Sequence, residues 1–200
     1  LARLAADRGD FETAADLLAT FRDETPLHRR AIEGTLLHGE VLVETGEPSE
    51  AIEVLEDLLQ RQAARGRPHA RALLMMGRAE ADRGNPRRAI AYYQRVYNSY
   101  RAYPSMMVDA YLASARHFEA LADATPAAPD SAEVGPETRA ELLRAALRTY
   151  QELLSHDRLR DFEAAWEQAE AAVERLEPLV PEVAESAVAV SETNEPESKP

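Results

Sequence analysis

Residues 73–97 read LLMMGRAEADRGNPRRAIAYYQRVY, and this stretch decides the fold. A helical run of apolar and small residues is interrupted at Arg83-Gly84-Asn85-Pro86, and a second amphipathic run begins at once. Glycine takes the left-handed conformation at no steric cost, so Gly84 reads as the stop of one helix. Asn85 is a good N-cap, and Pro86 sits in a first turn, where its missing N–H is not needed. Ala89 and Tyr93 then stand four apart on one face, a small residue followed by a large one. Gly77 lies mid-helix, where glycine costs roughly 1 kcal/mol against alanine. That cost is accepted where another helix approaches closely, and Ala89 is expected to fill the facing position.

The same plan recurs on both sides. Ala51/Leu55 lies 38 residues before Ala89/Tyr93, and Ala14/Leu18 lies 37 before that. Ala146/Tyr150 repeats the pair downstream. Gly9 and Gly46 precede their alanines by five residues, as Gly84 does, and Gly39 precedes Ala51 by twelve, as Gly77 precedes Ala89. Asp10 is placed as an N-cap and Pro48 as a first-turn proline. Gly39 and Ala51 are expected to meet as Gly77 and Ala89 do.

These markers resemble the tetratricopeptide repeat, whose pattern is W-x2-L-G-x2-Y, then A-x3-F, then P, over 34 residues. The slots read Thr35, His38, Gly39, Leu42, Ala51, Leu55 in the second repeat and Leu73, Met76, Gly77, Glu80, Ala89, Tyr93 in the third. In the fourth they read Tyr111, Ser114, Ala115, Phe118, Ala146, Tyr150, and the first repeat begins inside its first helix and closes with Pro26. The spacing runs three or four residues long, so the second helices or their exits are extended. Glu80 occupies an aromatic slot.

The resemblance implies an all-α fold: a right-handed α-solenoid of about four helical hairpins plus a C-terminal capping helix. The repeats are expected at about 1–28, 29–67, 68–104 and 105–157, the last with an insertion at 124–136. First helices are expected near 1–8, 28–45, 69–83 and 105–123, and second helices near 11–24, 48–65, 86–102 and 137–155. A capping helix over about 158–178 carries Leu159, Phe162, Trp166, Ala169, Val173 and Leu176 on one stripe, with glutamates away from it. Residues 124–136, with three prolines and a glycine, read as a flexible loop. Residues 179–200, rich in Glu and Pro, read as a disordered acidic tail.

Composition sets the outer bounds. The chain has 200 residues, 36 Asp+Glu against 23 Lys+Arg, a net charge of -13 and no Cys. The acidity argues against duplex nucleic acid as a partner. The lack of Cys removes thiol catalysis, thiolate metal sites and disulfides. No run of 18 apolar residues is present to span a membrane. Residue 1 is Leu with a helical pattern already running, so the chain reads as a piece of a longer or processed protein, with room for stacking on further repeats upstream.

No catalytic constellation emerges, and no cofactor is expected. A phosphate loop, HExxH and GxSxG are all missing, and the five His, at 28, 38, 69, 117 and 156, are scattered. Tyr93, Tyr97 and Tyr100 share a helix face and are assigned to core packing, whereas Tyr92 and Tyr103 are candidates for aromatic surface. In the family, first helices line a concave surface that holds peptides or partner domains. The register places Glu33, Glu40 and Glu44 there, with Arg71, Arg78 and Asp82, then Asp109, Arg116 and Glu119. Arg71, Arg78 and Arg116 form a basic strip suited to an acidic or C-terminal segment, unless each pairs with a neighbouring acid such as Asp82 or Asp109. Chaperone-binding members grip a C-terminal carboxylate with Lys and Asn. Leu36, Glu40, Met75 and Arg78 stand at those positions, so that mode is not expected.

The expected function is a non-catalytic scaffold that binds another protein or peptide. The alternative is a structural or self-assembling segment of a longer repeat protein. YYQRVYNSYRAYP resembles repeat proteins of the bacterial cell envelope, which leaves bacterial cytoplasm and periplasm both open.

Overall fold

The computed structural model describes residues 1–25, 28, 30–125 and 138–180. Four helical hairpins follow one another: α1 (Ala2–Asp7) with α2 (Phe11–Glu24), α3 (Ala31–Glu44) with α4 (Pro48–Gln60), α5 (Arg67–Asp82) with α6 (Pro86–Ser99), and α7 (Pro104–Ala124) with α8 (Arg139–Leu154). A ninth helix, α9 (Glu163–Leu176), closes the array, and no strand occurs among the described residues. Each helix packs on its successor. The first helices also pack in series, α3 on α5, α5 on α7 and α7 on α9. This is the all-α repeat solenoid the sequence predicts.

The turn chemistry acts as its residue types require. Gly9, Gly46 and Gly84 hold φ at +78°, +80° and +76°, and each leads straight into the next helix. The Asp10 side chain accepts from the Thr13 amide at 3.3 Å. Asn85 departs from the prediction: it occupies the N-cap position, but its side chain makes no cap bond. Its Nδ2 instead donates to Glu80 Oε2 at 2.8 Å, because the buried Glu80 needs a donor more than the solvated helix end does. Glu80 also meets Arg83 and Arg88 at 3.4 and 3.6 Å. The odd residue in the aromatic slot thus clamps the turn between α5 and α6. Thr138 and Glu141 form a reciprocal capping box at the start of α8.

The packing of the mid-helix glycines corrects the predicted small-against-small contact. A Cβ on Gly39 would lie 2.7 Å from Leu55 Cδ2, and one on Gly77 would lie 2.5 Å from Tyr93 Cε1. The large residue of each pair fills the notch, while Ala14, Ala51, Ala89 and Ala146 are buried at 0% exposure. The alanine keeps the helix close enough for the residue one turn later to reach across. Full burial of a side chain like Leu55 contributes about 1.5–3 kcal/mol.

Several helix ends also differ from prediction. The second helix of repeat two ends at Gln60 rather than near 65, and a 3-10 turn, Gln62–Ala64, follows. That of repeat three ends at Ser99 rather than 102. The closing helix starts at Glu163, and Leu159 is buried from a separate 3-10 turn, Asp157–Leu159. The extra residues per repeat are therefore spent on exits, not on longer helices. A last turn, Glu177–Leu179, extends order past the predicted boundary, and Val180 packs against the core. Residues 126–136 of the predicted loop and 181–200 of the predicted tail lie outside the described residues.

Candidate functional site

The first helices α3, α5 and α7 wall a groove of about 410 Å³. Glu40, Arg71, Arg78 and Asp109, all chosen from the sequence, line it together. Helical geometry explains the meeting. Arg67, Arg71, Leu74 and Arg78 recur at four, three and four residues along α5 and form one stripe. Val43 of α3, Met75 of α5 and Met106 of α7 add apolar surface. Methionine adapts its shape to a varied ligand.

The charges in the groove are largely paired across repeats. Arg71 donates to Glu40 Oε2 at 2.6 Å, and Arg78 donates to Glu44 Oε1 at 2.6 Å. The acids that hold these arginines are on α3, not Asp82 or Asp109, because α3 and α5 are adjacent first helices and their stripes face each other. Both pairs are wet, with all four side chains at least 40% exposed, so each contributes about 0–1 kcal/mol. Arg67 and Asp109 have no ion pair among the described residues. Desolvation at the groove wall raises the Asp109 carboxyl above its ordinary value.

Of the other predicted groove residues, Glu33, Glu44, Asp82, Arg116 and Glu119 do not line it. Arg116 is exposed on α7 but does not line this groove. Glu119 is engaged in the cap: it accepts from the Tyr150 hydroxyl at 2.8 Å and meets Arg175 of α9 at 2.7 Å. Burial, then that hydrogen bond to Glu119, pushes the Tyr150 phenol above its ordinary value. Leu36 is buried in the α3–α4 core, so it could not serve a clamp. Val43, Arg67, Leu74, Ser105 and Met106 were missed. The four-residue step back from Arg71 would have found Arg67.

The remaining conspicuous side chains serve packing. Tyr97 and Tyr111 stack with centroids 4.0 Å apart, and burial pushes Tyr93 and Tyr111 up to about 12. Tyr103, predicted as surface, packs partly against the core, with its hydroxyl close to Gly66. His117 stacks on Tyr93, and His156 Nε2 lies 3.1 Å from the Tyr111 hydroxyl. No group of three or more His, Asp or Glu side chains among the described residues is placed to hold a metal ion. No described helix is long and apolar enough to cross a membrane.

Residues 36–106, from within α3 to the start of α7, match the family model of the tetratricopeptide repeat. Such repeats generally mediate protein–protein interaction and are generally non-catalytic. No curated protein matches the chain.

Proposed function

We propose that this chain, residues 36–106 of which match the tetratricopeptide repeat, works as a non-catalytic scaffold whose concave face holds a segment of a partner protein. The observation that carries this reading is the groove itself, where cations, acids and methionines converge from three first helices. Its cross-repeat ion pairs neutralise much of the charge, so a strongly acidic ligand gains little there. The groove suits a segment with one carboxylate, such as a chain terminus, and an apolar side chain. The carboxylate meets the guanidinium of Arg67 and shares those of Arg71 and Arg78. The apolar group rests on Leu74, Met75 and Met106.

The test is a peptide array in which each sequence is presented with a free and an amidated C-terminus. Selected peptides are then titrated against the wild type and against a triple variant, Arg67→Ala with Arg71→Ala and Arg78→Ala. A preference for free termini and about a tenfold loss in the triple variant support the groove. Affinity within about twofold of wild type refutes it.

A second reading, end-to-end assembly, draws on one observation. Leu4 and Leu17 at the α1–α2 end are 49% and 38% exposed. Sedimentation at rising concentration, with and without Leu4→Glu and Leu17→Glu, tests it. A monomer throughout ends that reading for this chain.

A further inference from the structure

A second cavity, of about 790 Å³, opens between the second helices α4 and α6, across the back of α5. His69 and Met76 of α5 line it, and Arg67, Arg71 and Arg78 line the groove. At about 100° per residue these two sets point to opposite sides of the same helix. The cleft and the groove are therefore separate surfaces.

The cleft exists because α4 stops early. The exit 61–66, with its 3-10 turn and Gly66 at φ +88°, forms the rim between α4 and α5. Across from it, α6 presents Tyr92, Arg95 and Tyr100. The Tyr100 hydroxyl hydrogen-bonds to His69 Nδ1, which fixes that wall. Leu59 supplies apolar surface, and the buried Met76 closes the floor behind it.

The electrostatics differ from those of the groove. Arg61, Arg65 and Arg95 line the cleft against a single acid, Glu56. Arg61 is tied to Asp57 on its own helix turn. Arg65 and Arg95, both exposed, have no carboxylate partner among the described residues, and both line this one cavity. The Arg95 guanidinium instead lies over the Tyr92 ring, 6.0 Å from its centroid. Two exposed cations left open at one cavity are complementary to paired carboxylates, and the aromatic and leucine wall is complementary to an apolar side chain beside them.

We propose that this cleft is a second docking surface, which takes an acidic peptide segment of a partner protein. Arg65 and Arg95 bind its carboxylates, and Tyr92 and Leu59 receive an apolar side chain. The scaffold then holds two partner segments, one on each side of α5. This inference stands whether or not the groove binds a chain terminus.

The experiment uses the full chain and three probes: a short labelled Glu-Ala peptide and its Lys-Ala counterpart, both with amidated C-termini so that neither offers the groove a terminal carboxylate, and inorganic phosphate as competitor. Fluorescence anisotropy is read at low and high salt. The chain as a whole repels polyanions at a net charge of -13, so capture of the Glu peptide requires a local site. The expected result is binding of the Glu peptide alone, weakened by salt. Affinity should drop about tenfold or more in Arg65→Glu with Arg95→Glu, and stay within about twofold in Arg71→Ala with Arg78→Ala. Circular dichroism checks the fold, and the milder Arg65→Gln with Arg95→Gln pair decides if the charge reversal unfolds the chain. Four outcomes overturn the proposal: no binding of the Glu peptide, equal binding of the Lys peptide, indifference to both Arg65/Arg95 pairs, or full displacement by millimolar phosphate. The last would make the cleft a simple anion site. Loss in the Arg71/Arg78 variant alone would move acidic binding to the groove and leave the cleft without a role.

Discussion

The two ends of the array are built from the same hairpin but packed from different stock. Between α1, α2 and α3 the buried apolar residues are Ala14, Leu18, Leu37 and Val41, supplemented by alanines of α1 and by Phe11. From α5 to α9 a single cluster joins Tyr93, Tyr97, Tyr111, Tyr150, Met107 and a set of leucines. In a solenoid each repeat is held only by its neighbours, so stability is local and sums along the array. The difference teaches that identical small-large markers specify the hairpin but not its strength. The large partner sets the strength: Leu18 at one end, Tyr150 at the other.

Truncating that partner at each end gives the largest contrast. Tyr150→Ala opens a buried aromatic site and releases Glu119, and should cost about 3–5 kcal/mol in a cooperative melt. Leu18→Ala should cost about 2 kcal/mol, at the low end of its class, and mainly as faster hydrogen exchange in α1 and α2. Equal losses of global stability would mean that the array unfolds as one unit and that the comparison fails.

The glycine notches give a smaller effect. A Cβ at Gly77 meets the Tyr93 ring at 2.5 Å, and one at Gly34 meets Phe21 Cε1 at 2.8 Å. Tyr93 is locked between repeats, so Gly77→Leu should lose about 1–3 kcal/mol by overpacking. Phe21 is only partly buried and can turn aside. Gly34→Ala should therefore be near neutral, since the helix gains roughly 1 kcal/mol from the better helix former. Thermal melts of both variants check the order, and a Gly77→Leu protein that melts like the parent would show that the notch is open.

How far the sequence could be read follows from what fixes each feature. The turns were legible because Gly9, Gly46 and Gly84 carry their conformation in their own chemistry. The burial of Ala51 and Tyr93 was legible because helical periodicity alone decides a face. The contact of Gly77 with Tyr93 rather than Ala89 was not, since it depends on how far two helices slide along each other. The same holds for the groove. Periodicity put Arg71 and Arg78 on one stripe, but their partners Glu40 and Glu44 lie 31 and 34 residues away, and only packing of α3 on α5 brings them together. The cleft was invisible, because it arises where α4 stops at Gln60 and no local signal in Arg61–Arg65 marks that end.

The groove pairs supply the next contrast. Arg71→Ala with Arg78→Ala removes two exposed cross-repeat ion pairs, each worth about 0–1 kcal/mol. The melting temperature should hardly move, and should move less still in high salt. A large drop would mean that the pairs staple repeat two to repeat three, and that the groove is there for stability rather than for a ligand.

The smallest effect is a pH dependence that separates the two halves through one histidine in each, buried in α3 and half-buried in α7. His38 of α3 is 1% exposed, and its Nδ1 has no hydrogen-bond partner among the described residues. Burial, then the nearby Arg22, lowers its pKa from 6.5, against the pull of Glu50 and Asp23. His117 of α7 is lowered too, by burial, with Asp82 opposing. A histidine held below its unfolded value stays neutral in the fold while the unfolded chain takes up a proton. Stability is therefore intact above about pH 6.5 and falls as pH drops towards the lowered folded values. Hydrogen exchange, corrected for its intrinsic rate, should show α2 and α3 losing protection between about pH 7 and about pH 5.5. His38→Leu removes the titration and the unpaired nitrogen together, so its α2 and α3 amides should hold their protection. The wild-type amides of α7 and α8 should change less, since the larger cluster around His117 keeps more stability in reserve. Unchanged α2 protection across that range would show that His38 accepts its proton without cost, and that the thin end of the array is firmer than its packing indicates.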